Sequence, residues 1–290
     1  MKNCDIIMGY MCNNNCMHCI RQDNDRQTNL STGAIKKLID DADKRGVKRI
    51  ILQGGEPTIR KDLFEIISYI REKEIPQIQI QSNGRMLSYP AFAKQVSDLG
   101  ITEFCISVHS NNAKVHDEFT GARESFNQTI KGIRNLISLG QHVKILFILT
   151  KKNYKNLTEV IDMLYRIGVR HFQIGVPNPE GGALNNFHNV IPKFSEIKPY
   201  VIDVLEKFGE KAFIRTQDIP KCFLPGFEEH VLEDSLPEAE KLYPEKEILD
   251  HEAYRKGNKA FASSCGKCRF RKECEGVYRT YLSEYGESEF

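Results

Sequence analysis

The sequence has little net charge and no apolar run long enough to cross a membrane. Its 41 lysine and arginine residues nearly balance 39 aspartate and glutamate residues. This balance gives no reason to expect nucleic acid or a membrane surface as a partner. A membrane-spanning helix needs about 18 apolar residues in a row, and no stretch approaches that length.

The beginning of the chain also lacks the features of a secretory signal. Residues 1–5 lead into an apolar stretch that is too short for a signal peptide. The chain nevertheless contains nine cysteines among 290 residues. Cysteines without an export signal are typical of a reducing compartment, where thiols stay free to bind metal. We therefore expect a cytoplasmic protein with metal sites and without a disulfide framework.

Strand and helix patterns alternate along the first two thirds of the chain. Apolar runs predict strands at 6–10, 49–53, 77–81, 104–108, 143–149 and 172–176. Helical spacing of apolar residues predicts helices at 31–45, 62–73, 91–99, 126–137, 157–167 and 194–208. Six alternations with short connections indicate βαβ units and one parallel sheet. In such sheets ligands lie at the carboxyl ends of the strands, so the loops that follow the strands should share one rim.

Beyond this region the periodicity weakens. From about Thr216 the chain is rich in Pro, Glu and Gly and holds four of the nine cysteines. We therefore predict a first domain over residues 1–215 and a second over residues 216–290. In the third strand, Gln77, Gln79 and Gln81 alternate with apolar residues, which fits either a strand facing a wet cavity or an exposed edge strand.

Three cysteines lie close together in the loop after the first strand. Cys12, Cys16 and Cys19, here called the proximal cysteines, have the spacing C-x₃-C-x₂-C. Three thiolates on one short loop can converge on one metal centre. A structural zinc site needs four ligands, whereas three suit an iron–sulfur cluster that keeps one iron open. Part of a zinc site, or unrelated buried thiols, is the alternative.

A glycine-rich turn follows the second predicted strand. It consists of Gly54, Gly55, Glu56 and Pro57. Glycine lets a backbone approach a ligand closely, and a carboxylate is a charge-assisted acceptor for an ammonium group. Taken alone, these residues could equally form a tight turn.

Together, the proximal cysteines and the 54–57 turn resemble the signatures of the radical S-adenosylmethionine (radical SAM) superfamily. The resemblance implies a partial (β/α)₆ TIM-like barrel and a 4Fe–4S cluster on the three catalytic cysteines. It also implies that S-adenosylmethionine (SAM) is bound at the open iron and at the 54–57 turn, then cleaved reductively to a 5′-deoxyadenosyl radical that takes a hydrogen atom from the substrate. Further cofactor contacts implied at the rim are His18, Ser82, Asn83, Ser107 and His109.

Four more cysteines form a second candidate metal site. Cys222, Cys265, Cys268 and Cys274, here called the distal cysteines, are four soft ligands that suit either a 4Fe–4S cluster or zinc. The segment from Cys265 resembles the SPASM/Twitch extensions of radical SAM enzymes, which bind auxiliary clusters. The next cysteine of the full SPASM pattern is replaced here by Tyr278. The resemblance therefore implies the shorter Twitch form with one auxiliary 4Fe–4S cluster.

The resemblance also implies a substrate class and partners. SPASM and Twitch extensions mostly accompany peptide modification, so we expect a peptide or protein substrate that is crosslinked, oxidised or epimerised. Residues 178–182 predict a flexible polar rim that could admit an extended chain. An external reductant such as a flavodoxin or ferredoxin is implied. Because the first predicted strand begins at residue 6, a leader peptide would need a separate binding protein.

Three other functions compete with this one. The first is a radical SAM dehydrogenase of a small polyol or amino sugar. The second is a protein whose clusters only transfer electrons, which would not need the 54–57 turn. The third is a molybdopterin-type cyclase, whose C-terminal cluster lies on three cysteines with a longer final gap than the C-x₂-C-x₅-C spacing found here.

Overall fold

The computed structural model describes residues 2–232 and 238–290, and its centre is one curved sheet. The strands of that sheet are β1 (Asn3–Ile7), β2 (Arg49–Gln53), β3 (Gln77–Ser82), β4 (Glu103–Ser107), β5 (Val143–Ile148), β6 (His171–Gly175), β7 (Phe213–Gln217), β8 (Ala239–Leu242) and β9 (Glu247–Ile248). Their spatial order is β7-β6-β5-β4-β3-β2-β1-β8-β9. All neighbours pair in parallel except β8 and β9.

Helices follow the strands and cover the sheet. They are α1 (Thr32–Lys44), α2 (Leu63–Glu72), α3 (Pro90–Asp98), α4 (Ala113–Thr120), α5 (Ser125–Ser138), α6 (Leu157–Ile167), α7 (Gly181–Asn185), α8 (Phe187–Val190), α9 (Phe194–Phe208), α10 (His251–Gly257) and α11 (Arg279–Tyr285). Two short strands, β10 (Lys259–Ala260) and β11 (Val277–Tyr278), form an antiparallel ribbon near the end of the chain. The α/β alternation confirms the predicted partial (β/α)₆ TIM-like barrel. None of the described helices is both long and apolar enough to cross a membrane.

Local sequence explains where the helices begin and end. Ser31 caps α1 by accepting a hydrogen bond from Ala34 N at 3.2 Å. Gly168 ends α6 in the left-handed conformation that glycine adopts without steric cost. The predicted helices at 157–167 and 194–208 are confirmed to the residue as α6 and α9. The first strand was misplaced, because β1 begins at Asn3 and ends at Ile7, before Gly9 turns away to pair with Asn29.

Some side chains of the sheet are polar and buried, and hydrogen bonds from Arg49 join two of them. β3 lies between β2 and β4, so the alternative of an exposed edge strand is wrong. Gln79 is buried and accepts a hydrogen bond from Arg49 Nη2 at 2.5 Å. The same guanidinium donates to Glu103, on the next strand along, at 2.5 Å. The burial of Gln79 and Glu103 is tolerable because each accepts a hydrogen bond from Arg49, whereas Arg49 Nε has no partner among the described residues.

The last third of the chain joins the sheet instead of standing apart from it. β7 extends the sheet beyond β6, and β8 pairs with β1 at the opposite side. Buried Glu240 of β8 binds Arg45 at 2.8 Å and Lys2 at 2.7 Å. The division into residues 1–215 and 216–290 stays a prediction, and both positions flanking it lie within β7.

Candidate active site

The loops that follow the strands meet at one edge of the sheet. The proximal cysteines follow β1, the 54–57 turn follows β2, and β3 ends at Ser82. Ser107 ends β4 and is half-buried, and His109 lies two residues further on. Because β1 to β7 run parallel, their carboxyl ends lie on the same side of the sheet. Direct contacts join the cysteine loop to the 54–57 turn, to the end of β3 and to His109, as described below.

The proximal cysteines are half-buried, and negative charge on one raises the pKa of another. Burial raises the pKa of Cys12 to about 11 and the pKa of Cys16 to about 12. Negative charge on Cys19 and Cys12 also raises the pKa of Cys16. Burial and mutual repulsion both disfavour thiolates, so three of them need a compensating cation. This donor set fits an iron–sulfur cluster, whose irons bind thiolate sulfur.

Two arginines fix the backbone between Cys12 and Cys16. Arg85 donates from Nη1 to the carbonyl of Asn13 and to the side-chain oxygen of Asn14. Arg26 donates to Asn14 O at 2.9 Å and to Asn15 Oδ1 at 2.7 Å. Sequence reasoning missed both arginines. The three consecutive asparagines were the available signal, because their oxygens in a tight loop require donors.

The 54–57 turn packs backbone against backbone on the cysteine loop. Gly55 N donates to Gly9 O at 2.8 Å, and Glu56 N donates to Met11 O at 2.8 Å. A Cβ at Gly55 would lie 2.0 Å from Met11 O, which no side chain can tolerate. Glycine here serves the close approach of the two motifs to each other, in addition to the expected approach to a ligand.

Glu56 ties together the turn and the end of β3. Its Oε1 accepts hydrogen bonds from Thr58 N at 3.0 Å, Thr58 Oγ1 at 2.5 Å and Ser82 Oγ at 2.7 Å. Its Oε2 accepts from Asn83 N at 2.7 Å. Burial nevertheless raises the pKa of this carboxyl, because the loss of hydration outweighs the four donors. Asn83 also donates from Nδ2 to Asn13 Oδ1 at 2.7 Å, which connects β3 to the cysteine loop.

His18 of the cysteine loop belongs to a cluster of aromatic rings. The ring of His18 lies 4.9 Å from that of His109 and 4.5 Å from that of Phe119. Burial lowers the pKa of His18 to about 4 and that of His109 well below its ordinary value, so both rings are neutral at pH 7. The Nδ1 atoms of both are buried without a hydrogen-bond partner among the described residues. Unsatisfied ring nitrogens at this edge fit the approach of a polar ligand such as an adenosyl group.

The loop after β6 packs against the cysteine loop and is hydrogen-bonded to it. Gly182, in α7, donates from its backbone N to Cys19 O at 2.9 Å. A Cβ at Gly182 would lie 2.7 Å from Met17 O. The flexible polar rim at 178–182 stays a prediction, but its Gly182 end is packed against the cysteine loop. Its glycines indicated flexibility, but here they allow two loops to pack closely.

The distal cysteines line one cavity. Burial raises the pKa of Cys222 to about 11, and negative charge on the other three distal cysteines raises it further. The remainder of the wall is mostly apolar and includes Phe261, Phe270 and Phe290. Four soft sulfur ligands beside a mostly apolar wall fit a metal centre.

A second cavity lies between the barrel edge and the distal segment. Its apolar wall includes Val176 and Pro177, which follow β6, and it reaches Gly276 and Val277, which also line the distal cavity. Its polar end is Lys259, which pairs with Asp218 at 2.6 Å and with Glu275 at 3.1 Å. Asp218 follows β7 and has a φ of +58°, a conformation that aspartate tolerates and most residues avoid. Sequence reasoning missed this pocket, because its residues come from distant parts of the chain.

Comparisons with known proteins agree with this geometry. A family model described as Radical SAM superfamily matches residues 6–176. The chain is 28% identical to a probable GTP 3′,8-cyclase from Sulfurisphaera tokodaii over 222 residues, which are 76% of this chain and 68% of that protein. It is 29% identical to the mycofactocin maturase MftC of Mycobacterium tuberculosis over 161 residues, which are 55% of this chain and 40% of MftC.

A solved structure covers almost the whole chain. The fold resembles that of Streptococcus suis SuiB bound to S-adenosylmethionine, with a TM-score of 0.72 and 16% identity over 99% of this chain and 75% of SuiB. SuiB bound to its precursor peptide SuiA gives a TM-score of 0.70 over 97% of this chain. At this level of identity the likeness concerns the fold.

Proposed function

Because this chain belongs to the radical SAM superfamily of enzymes, which use a 4Fe–4S cluster and S-adenosylmethionine, we propose that its proximal cysteines hold that cluster and that the enzyme modifies a peptide. When bound, the cluster and SAM supply one-electron cleavage of a carbon–sulfur bond and hydrogen-atom abstraction from the substrate. The observation that carries the assignment is that three half-buried thiols, the Glu56 turn and the end of β3 meet at one edge of the sheet.

The chain's own residues position the cofactor. Glu56 Oε1 already accepts three hydrogen bonds, whereas Oε2 accepts one and has room for another. Oε2 is therefore the acceptor for the cofactor ammonium group. His18 and His109 offer neutral ring nitrogens to the adenosyl part, and their aromatic cluster excludes water from it.

The distal cysteines hold an auxiliary 4Fe–4S cluster in this proposal. The four sulfurs share one cavity, and Lys259 lies close enough to lower the pKa of Cys274, whose overall shift is upward through burial. The C-x₂-C-x₅-C spacing argues against the cyclase reaction of the Sulfurisphaera relative. Zinc is the competing occupant, because four thiolates satisfy it equally well.

Metal analysis tests both sites. Anaerobic reconstitution with iron and sulfide should load about eight irons per chain if both sites hold 4Fe–4S clusters. Alanine at the three proximal cysteines should remove about half of the iron and all reductive cleavage of SAM. Alanine at the four distal cysteines should remove the other half and leave SAM cleavage largely intact. Zinc in the distal site of anaerobically purified protein would refute the auxiliary cluster.

In this proposal the substrate approaches the carboxyl edge of the sheet beside the cavity between the barrel edge and the distal segment. This cavity opens from the carboxyl ends of β6 and β7, at the same edge of the sheet as the proximal cysteines, and it borders the cavity of the distal cysteines. An apolar wall of Val176, Pro177 and Pro179 suits the side chains of an extended peptide, and SuiB, which shares the fold, has been solved with its precursor peptide. In this proposal a flavodoxin or ferredoxin supplies the electron.

The substrate assignment is tested by offering two classes of compound to the reconstituted enzyme. One class is short peptides encoded beside its gene, and the other is polyols and amino sugars. A mass change in a peptide, coupled to SAM cleavage, is the expected result. A mass change only in a metabolite would replace the peptide proposal with a dehydrogenase.

A further inference from the structure

The loop that carries three of the distal cysteines is strongly basic and exposed. Residues 265–274, here called the distal basic loop, contain four cations and a single carboxylate. The cations, all exposed, are Lys267, Arg269, Arg271 and Lys272. Cys222, which faces the same cavity, is itself exposed. A centre held here therefore lies near the protein surface.

Few of these charges are neutralised within the protein. Arg269 pairs with Glu228 at 2.7 Å. Glu273, the carboxylate of the loop, forms an ion pair with Lys221 at 2.6 Å. Within residues 2–232 and 238–290, Lys267 and Lys272 have no ion pair. Unpaired lysines on both sides of Cys268 give the surface over the distal cavity a positive potential.

The loop of the proximal cysteines is different. Between residues 11 and 27 it carries two cations and two carboxylates, so its charges cancel. A negatively charged macromolecule that approaches the molecule would therefore be steered toward the distal basic loop and away from the proximal cysteines. Steering of this kind acts on the association rate and weakens as salt screens the charges.

We propose that the distal basic loop is the docking surface for an acidic one-electron carrier protein that exchanges electrons with the distal centre. The inference rests on the proposed function, because it requires an iron–sulfur cluster on the distal cysteines. One electron passes from the reduced cluster to the oxidised carrier, which oxidises the cluster by one unit and reduces the carrier by one. No bond or proton is transferred. The carrier thus resets the distal cluster after it has accepted an electron.

The test is stopped-flow electron transfer from the reduced, cluster-loaded enzyme to an oxidised acidic flavodoxin. The charge-reversal variant is Lys267→Glu with Lys272→Glu, and the milder variant is Lys267→Gln with Lys272→Gln. The matched control is Lys37→Glu with Lys131→Glu, which changes the net charge equally on exposed positions of α1 and α5. Basic cytochrome c serves as a second acceptor of opposite charge.

We expect charge reversal to slow transfer to flavodoxin by about tenfold or more at low salt, because steering changes association rates by about 10- to 1,000-fold. The glutamine variant should fall between the wild type and the reversal, and the difference should vanish at about 1 M salt, where screening is nearly complete. Transfer to cytochrome c should not slow. The Lys37/Lys131 control should stay within about twofold of the wild type.

The docking proposal is refuted if the wild type and the reversal variant transfer electrons to flavodoxin at equal rates while iron content and absorption spectrum are unchanged. That result would not contradict the auxiliary cluster. An equal loss with the Lys37/Lys131 control would overturn the docking proposal as well, because net charge alone would then explain the rates. Failure of the proposed cluster has a different signature. Then the wild type itself lacks distal iron, and alanine at the distal cysteines does not change the transfer rate.

Discussion

Replacing Glu56 by glutamine tests whether one carboxylate both builds the site and binds the cofactor. Each carboxylate oxygen faces a backbone donor: Oε1 accepts from Thr58 N, and Oε2 accepts from Asn83 N. A glutamine side chain presents one oxygen and one NH₂ group. The hydroxyls of Thr58 and Ser82 can rotate to suit either group, but a backbone N–H cannot. Whichever way the amide is oriented, one buried N–H loses its acceptor.

The magnitude follows from that lost acceptor. Leaving one buried donor unsatisfied costs about 1–3 kcal/mol, so Glu56→Gln should lower the free energy of unfolding by that amount in the absence of SAM. The same change removes a charged acceptor for the cofactor ammonium, worth about 1.5–3 kcal/mol. The dissociation constant for SAM should therefore rise about tenfold to a hundredfold. Glu56→Ala leaves all four donors without an acceptor and should be less stable still.

Three measurements separate the two effects. Anaerobic urea titration gives the free energy of unfolding, equilibrium dialysis gives the SAM affinity, and iron analysis checks that the cluster still assembles. Glu65→Gln is the matched control, because Glu65 is an exposed carboxylate that pairs with Lys36 and should change stability by less than about 0.5 kcal/mol. If Glu56→Gln were as stable as the wild type, the hydrogen bonds assigned to Glu56 would be wrong. If SAM affinity were also unchanged, Glu56 would not contact the cofactor.

Two further predictions concern the support of the site. Gly182→Ala should push α7 off the cysteine loop, because the new Cβ would lie 2.7 Å from Met17 O, and a chelator should then bleach the cluster faster. Gly33→Ala, which meets no atom within 4 Å, is the control, and equal bleaching rates would contradict the contact. Buried His116 has its pKa lowered to about 4 by burial. It therefore favours the folded state above pH 6.5 and loses this contribution as pH falls toward 4, by about 2 kcal/mol between pH 7 and pH 5. His116→Gln should flatten that dependence in urea titrations, and an unchanged slope would show that His116 is not responsible.

The sequence predicted those features that depend on neighbouring residues. Periodicity located α6 and α9 to the residue, because each has a continuous apolar stripe and a clear beginning and end. The spacing of the proximal cysteines and the 54–57 turn placed both motifs after parallel strands, where the structure has them. β7 was missed, since exposed Phe213 and polar Arg215 break the apolar pattern expected of a buried strand.

What escaped prediction depends on residues far apart in the chain. Arg85 reaches Asn14 across 71 positions, and Arg45 reaches Glu240 across 195. No local pattern encodes such pairs, because each partner alone looks like an ordinary polar surface residue. The same holds for the cavity at Lys259 of β10, whose carboxylate partner Asp218 comes from the segment that follows β7. The motifs therefore identified the chemistry, whereas the support around them required the fold.

The pairing of β8 with β1 makes the two proposed metal sites depend on each other structurally. β1 leads directly into the proximal cysteines, and it is flanked by β2 on one side and by β8 on the other. A chain cut at residue 215 would leave the backbone of β1 with an open hydrogen-bonding edge, which promotes aggregation. The segment that carries the distal cysteines therefore contributes a strand to the barrel. Unfolding that begins there would remove the hydrogen bonds of β8 to β1, the strand that precedes the proximal cysteines.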